Sequence, residues 1–319
     1  MTLPQALQAG IDEIVAGSAR SEVERRALAL SESYRAGGAG ASRAARTKGD
    51  VAAYLATRAP ATFAAAAAVF EQIRLVRPEW APASVLDLGA GPGNAAWAAV
   101  EAWPSIAAVA LVEAEPEMAR AGTALAAGGP AVLQEARWTE SDVGAAVGRA
   151  DLVLVSYVIG ELEPAALAGF VDHAWSLASD TLVIVEPGTT AGYERVLAAR
   201  AAVLATGGST LAPCPHDDPC PLAAGDWCHF ATRLARSRTH RLAKGAERGF
   251  EDEKLSYAAL CRTDEPPRPE ARIIRRPDLR QGHAVLDLCT TEGIERRTVS
   301  KRDGVEYRKA RKAAWGDPL

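Results

Sequence analysis

No apolar run in these 319 residues approaches the roughly 20 needed to span a bilayer, so no membrane-spanning helix is expected. The first residues, MTLPQALQAGIDEIVAGSAR, lack both a basic start and a long apolar centre and carry Asp12 and Glu13. They fit neither a signal nor a transit peptide, and a cytoplasmic protein is expected. No internal repeat is evident. Cysteine is scarce, with five in the chain, and a reducing compartment argues against pairing them as disulfides. Three of them, Cys214, Cys220 and Cys228, nevertheless fall in one proline-punctuated segment, PCPHDDPCPLAAGDWCHF, separated by five and seven residues. Thiols so spaced are soft ligands that can converge on one metal centre.

The remaining composition is ordinary for a globular chain: 48% hydrophobic and 24% charged residues exclude wholesale disorder. At this length the chain can bury a full α/β core with appendages, and a monomer is expected. The net charge of −4 conceals an asymmetry, because residues 229–319 hold 21 Lys/Arg against 14 Asp/Glu, about +7, leaving about −11 for residues 1–228. The basic end is a candidate phosphate-facing surface, although an ordinary solvated surface has the same composition.

Four regions are read along the chain. Residues 1–80 form a helical N-terminal subdomain, with Ser21 and Glu24 spaced as a capping box, a glycine-rich break at Gly37–Gly40, and Pro60 interrupting a second helical stretch with Thr62 as a fresh cap. Residues 81–206 alternate short β-branched runs (SVLDL, AVALVE, AVLQE, DLVLVS and TLVIVE) with alanine-rich helices, the pattern of a Rossmann-like parallel sheet covered on both faces. Residues 207–250 read as an inserted cysteine-rich module, too rich in turn formers for a sheet interior. Residues 251–319 return to strands at KLSYAALC, AVLDLC and Glu295–Ser300, followed by a basic extension.

The run SVLDL–GAGPGN leads into a helix and places Gly89, Gly91 and Gly93 where a ligand meets backbone at the end of the first strand. Asp87 closes that strand, and Glu113 ends the next at the interval from which an acidic side chain reaches two ribose hydroxyls. This combination resembles the class I S-adenosylmethionine methyltransferase pattern, an α/β fold with a seven-stranded sheet whose last strand inserts antiparallel. Ser156 and Tyr157 close the fourth strand, where that fold presents cofactor- or substrate-positioning groups. No Asn-Pro-Pro-Tyr or Pro-Cys motif stands there, which argues against exocyclic-amine and covalent cytosine-carbon methylation.

Three thiols rarely close a structural site. Cys261 and Cys289 each end an apolar strand, and each also suits a core position as a small hydrophobe. His216 and His229 are alternative ligands if the metal is zinc; an all-thiolate iron-sulfur cluster is the other option, and spacing does not separate them. The segments YLATRAPATFAA, VLDLGAGPG, PCPHDDPCPL, DWCHF, KLSYAAL, GHAVLDLCT and RKARKAAWGD, in this order, resemble the mitochondrial small-ribosomal-subunit methyltransferase-like family and its bacterial relatives, over nearly the whole chain from about Ser21. The resemblance implies a [4Fe-4S] cluster on Cys214, Cys220, Cys228 and Cys289, with Cys261 outside the set. It also implies a role in assembling the small ribosomal subunit through contact with its rRNA. The basic side chains expected to meet that RNA are Arg272, Arg275, Arg276 and Arg280 in ARIIRRPDLR, and Arg296, Arg297, Lys301 and Arg302 across the final strands. Whether methyl transfer accompanies assembly is left open.

Overall fold

The computed structural model describes residues 1–36 and 47–319. The break expected at Gly37–Gly40 lies outside the described residues. Helices α1 (Gln5–Ala16), α2 (Arg20–Ala36), α3 (Lys48–Thr57) and α4 (Ala59–Val76) precede the first strand. Ser21 lies within the first turn of α2 rather than capping it, and Glu24 pairs with Arg20. The capping box belongs to Thr47 and Asp50, which bond reciprocally at the start of α3. Pro60 occupies the first turn of α4, where an N–H has no intrahelical partner to lose. Thr62 donates back to the Arg58 carbonyl at 3.2 Å instead of capping.

Five strands, β1 (Ser84–Leu88), β2 (Ala108–Glu113), β3 (Arg137–Glu140), β4 (Ala150–Ser156) and β5 (Ala178–Pro187), are parallel neighbours in the order β3-β2-β1-β4-β5. They are followed by β6 (Ser209–Ala212), β7 (Phe230–Ala235) and β8 (Phe250–Cys261). β8 inserts antiparallel beside β5 and pairs in turn with β6, which gives the sequence β3-β2-β1-β4-β5-β8-β6 expected of a class I methyltransferase sheet. β7 pairs with the first half of β8 and makes the sheet eight-stranded. Helices α5 (Asn94–Ala102), α6 (Pro116–Ala126), α7 (Ala131–Gln134), α8 (Leu167–Leu177) and α9 (Thr190–Ala205) fill the connections. Side-chain alternation sends Leu152, Leu154, Val183 and Val185 to one face against Phe63, Phe70 and Trp97. It sends Val153, Val155, Leu182 and Ile184 to the other, against Phe170, Trp175 and Val203.

Three expectations require correction. AVLQE forms helix α7, opened by Pro130, and the third strand is the following RWTE, an edge strand largely open to solvent. The sixth strand, β6, lies in the segment expected to be wholly cysteine insertion, so the insertion begins after Ala212. The late strands at AVLDLC and Glu295–Ser300 do not complete the central sheet. As β11 (His283–Thr290) and β12 (Gly293–Ser300), they join β9 (Ala271–Ile273) and β10 (Asp278–Arg280) in a separate four-stranded antiparallel sheet. α10 (Arg238–Lys244) joins β7 to β8 and packs on α2 and α3, and α11 (Val305–Ala310) packs on β11 and β12 of the second sheet. The second sheet has its own small core, in which Ala284, Leu286, Leu288 and Val299 face Ala310. Among the described residues no helix is long and apolar enough to cross a membrane.

Candidate cofactor pocket and cysteine centre

β1 feeds the turn through Gly89, Gly91 and Gly93, whose φ angles of 69°, 55° and 83° lie in the left-handed region that glycine adopts without steric cost. A Cβ on Gly89 would fall 2.5 Å from Val158, whereas one on Gly91 would meet only the Tyr54 hydroxyl at 3.8 Å. Packing therefore demands the first glycine, while the Cα–H of the second borders open space. Glu113 faces this turn. Its Oε2 accepts the Gly91 N–H at 2.7 Å and its Oε1 accepts the Glu115 N–H at 2.8 Å, leaving each oxygen a further lone pair. Burial raises its pKa against the pull of those amide bonds.

Asp87 is 1% exposed, with Oδ2 accepting the Ala96 N–H at 3.2 Å and Oδ1 without a partner. Both side-chain polar atoms of Asn94 and the Oγ of Ser156 are also buried without partners. Unmet polar groups clustered about an open turn suit a polar ligand, and the donor and acceptor set fits S-adenosylmethionine. Asn94 and Tyr54 were not anticipated from the sequence; Asn94 directly follows the third glycine, a position a turn-to-helix reading could have flagged.

Tyr157, expected beside Ser156 at the end of β4, makes structural contacts there. Its φ of 62° is unusual for a bulky residue, and its N–H donates to Val185 at 2.7 Å. Its hydroxyl donates to Glu253 at 3.1 Å, and Glu253 also accepts from Arg58 at 3.3 Å. The phenol thus ties the end of β4 to α4 and β8.

Burial, reinforced by the nearby Glu113 charge, pushes the Asp87 carboxyl up to about 7. An acid whose folded pKa is raised favours the folded state most below its unfolded value. That stability is lost as pH climbs through the window from near 3.8 to about 7. At about 1.36 kcal/mol per pH unit the loss is on the order of a few kcal/mol. Asp87→Asn is therefore expected to raise the melting temperature of the ligand-free protein at pH 8 and to leave it nearly unchanged at pH 4. Equal shifts at both pH values in thermal scans would assign the effect to packing instead of charge.

The second site lies where α9, the insertion and the small sheet meet. Tyr193, Val196, Leu197 and Arg200 recur at i, i+3, i+4 and i+7 along α9 and wall a cavity of about 40 Å³. Cys214 and Cys220 reach it from the loop after β6, Cys228 from just before β7, and Cys289 from β11. The expected four cysteines thus line one cavity. Cys261 does not join them: it is fully buried at the end of β8, paired in register with Thr181. Among the described residues no three His, Cys, Asp or Glu side chains converge closely enough to hold one metal ion. The four thiols ring a space without meeting at a point.

Neutral acceptors hold the Arg200 guanidinium in this wall. Arg200, 5% exposed, donates to Thr210 Oγ1 at 3.0 Å and to the carbonyls of His216 and Asp218 at 2.7 and 3.2 Å, pinning the PCPHDD loop. The Tyr193 hydroxyl donates to Cys220 Sγ at 3.2 Å. His216 Nε2 lies 3.6 Å from Cys289 Sγ, whereas His229 stacks on Trp227 and meets the edge of Trp315. Of the two histidines considered as ligands, His216 has its side chain against a cavity thiol, and the His229 ring packs between tryptophans. Burial, then the neighbouring thiols, pushes Cys289 up to about 12 and Cys228 well above its ordinary value.

The expected basic surface divides. Arg272 is not on it: at 1% exposure it stands opposite Cys289 in the β9–β11 ladder and lines the cysteine cavity. Arg296 and Arg297, adjacent on β12, necessarily point to opposite faces of the small sheet. Arg280 and Arg296 flank one face through the His283 and Asp287 positions of β11, and Arg297 belongs to the other. Arg275 pairs with Asp226, Arg280 with Asp278, Arg296 with Asp287 and Arg297 with Glu295. Arg276, Lys301 and Arg302 are exposed and form no ion pair among the described residues.

A family model described as mitochondrial small ribosomal subunit Rsm22 matches residues 48–319. The chain belongs to the Rsm22 family. The Rsm22 match takes in every residue of both sites. Among relatives, the Homo sapiens ribosome assembly protein METTL17, mitochondrial, is 29% identical over 300 residues, covering 86% of this chain and 63% of that protein. The Schizosaccharomyces pombe Rsm22-cox11 tandem protein 2, mitochondrial, is 29% identical over 197 residues, covering 47% of this chain and 26% of that protein. The chain thus spans less than two thirds of the length of either relative. A putative RNA methyltransferase from Pyrococcus horikoshii aligns at 14% identity with a TM-score of 0.42, covering 61% of this chain and 83% of that structure.

Proposed function

We propose that this protein is an S-adenosylmethionine-binding assembly factor of the small ribosomal subunit that carries a [4Fe-4S] cluster on Cys214, Cys220, Cys228 and Cys289 and docks on rRNA from the cytoplasm. The carrying observation is the cavity itself. Four cysteines from three separated parts of the chain surround it, and the fifth is packed elsewhere. Thiols ringing a space suit a polynuclear cluster, in which each thiolate binds its own iron. Membership of the Rsm22 family and the name of the human relative support the ribosomal role.

In the cofactor pocket Glu113 would take the ribose hydroxyls, and the Gly89–Gly93 backbone, with Asp87, Asn94 and Ser156, would hold the remainder. When bound, S-adenosylmethionine supplies an electrophilic methyl group. The chain's own contribution to transfer would be to position an acceptor near the end of β4. Incubating purified protein and immature small subunits with labelled S-adenosylmethionine separates the readings. Binding to subunits without methyl transfer supports an assembly factor that uses the cofactor as a ligand, whereas stoichiometric transfer to rRNA makes it a methyltransferase.

The unpaired cations offer the sharpest test of RNA contact. Arg276→Glu with Arg302→Glu is expected to weaken binding to a small-subunit rRNA fragment. If both side chains meet phosphates, the slope of log affinity against log salt should fall by about 1.4 to 1.8, at roughly 0.7 to 0.9 per lost contact. Cluster spectrum and cofactor affinity should be unchanged. Unaltered rRNA binding across salt concentrations would move the RNA surface to the helical N-terminal region.

A further inference from the structure

Arg272 is a buried cation that hydrogen-bonds to no carboxylate among the described residues. Its Nε donates to the Pro213 carbonyl at 2.8 Å, its Nη1 to the Gly316 carbonyl at 2.8 Å and to Gln72 Oε1, and its Nη2 is buried with no partner. Arg200, which lines the same cavity, likewise spends its hydrogen bonds on a hydroxyl and two carbonyls. Two guanidiniums therefore line one cavity with no acidic side chain among their hydrogen-bond partners, and desolvating a charge without an opposite charge is strongly unfavourable. Neutral acceptors reduce that cost but supply no countercharge. The β9–β11 register sets Arg272 directly across from Cys289, and the Tyr193 phenol donates to Cys220.

We infer that Arg272, with Arg200, is the built-in counter-cation of the four-thiolate centre, and that the free Nη2 of Arg272 and the hydroxyl of Tyr193 are hydrogen-bond donors that set its reduction potential. This rests on the cluster reading given above. Four thiolates around a core of charge +2 leave a net −2, and one electron taken from a reductant such as dithionite makes it −3. A cation and donors at the wall stabilise the more negative form and so raise the potential. They also give the empty-handed guanidinium its partner. Arg272 acts here as a positioning and electrostatic residue; the sulfurs remain the ligands.

The test is a mediator-equilibrated dithionite titration, followed by electron paramagnetic resonance, of the anaerobically prepared 319-residue protein and its Arg272→Lys, Arg272→Met and Tyr193→Phe variants. Each is also analysed for iron, sulfide and thermal unfolding. Tyr193→Phe keeps the ring packing and removes only the donor. It is expected to retain iron and shift the potential downward. Arg272→Met is expected to shift it further, by at least tenfold in the reduced-to-oxidised ratio at fixed potential, about 59 mV for one electron. Arg272→Lys should lie between wild type and Met. Loss of the cluster from a folded Arg272→Met that Arg272→Lys retains also supports the cation requirement. If Arg272→Met does not fold, the Lys and Phe variants decide. Iron-loaded variants at the wild-type potential overturn this inference and leave the cluster standing, whereas a wild-type protein without iron and sulfide overturns the cluster reading itself.

Discussion

Cys289→Ser is expected to lose its iron and to loosen the C-terminal part of the chain, while Cys261→Ser keeps both. The contrast follows from where the two sulfurs lie. Cys289 belongs to the small sheet, so a centre shared with Cys228 closes a loop of about 60 residues and fastens that sheet to the central one. By the chain-entropy relation, a cross-link over such a loop stabilises by about 4 kcal/mol. Its loss should appear as an early unfolding step confined to β9–β12 in hydrogen exchange. Cys261, within β8, faces the main core, and its serine variant should cost stability through a buried hydroxyl without releasing iron. Equal iron loss in both variants would reject the ligand assignment.

Glu113→Ala is expected to weaken S-adenosylmethionine binding about 10- to 150-fold, corresponding to roughly 1.5–3 kcal/mol for hydrogen bonds to a charged group. The structure adds a second cause: the same carboxylate holds the Gly91 N–H, so its removal also frees the turn. Gly91→Val should be at least as damaging, because it places a β-branched side chain at φ 55° and fills the open space beside the turn. Calorimetry with unchanged affinity in both variants would mean that the turn holds no cofactor.

Both sites were legible in the sequence to different depths. The glycine turn was readable because a strand ending in Asp87 must hand over to a helix within a few residues, and no other residue adopts φ near 69° beside Val158 so cheaply. The four-cysteine set came from likeness to a family, since spacing alone cannot bring Cys289 to Cys228. β3 escaped because RWTE is a charged edge strand, whereas the neighbouring apolar run AVLQ is too short for its period to separate helix from strand. β6 escaped for similar reasons, being four residues long. The second sheet was merged with the first because periodicity reports which face is buried but never which sheet a strand joins.

Charge was the most misleading signal. ARIIRRPDLR reads as a basic surface, yet strand register turns Arg272 inward while Arg276 and Arg280 remain exposed. The signal for Arg200 was present and passed over: Tyr193, Val196, Leu197 and Arg200 share one face of a helix otherwise dominated by alanine, and a cation two turns from a phenol on that face has no ordinary core role. Reading helix faces for polar members, as well as for apolar stripes, points to the wall of the cysteine cavity from the sequence of α9 alone.

The most direct test of the cysteine centre is the absorption spectrum of protein purified without oxygen, combined with iron, sulfide and zinc analysis. A cluster on Cys214, Cys220, Cys228 and Cys289 should give a brown protein with about four irons and about four sulfides per chain, bleached by dithionite. A colourless protein containing one zinc per chain and no sulfide would contradict it.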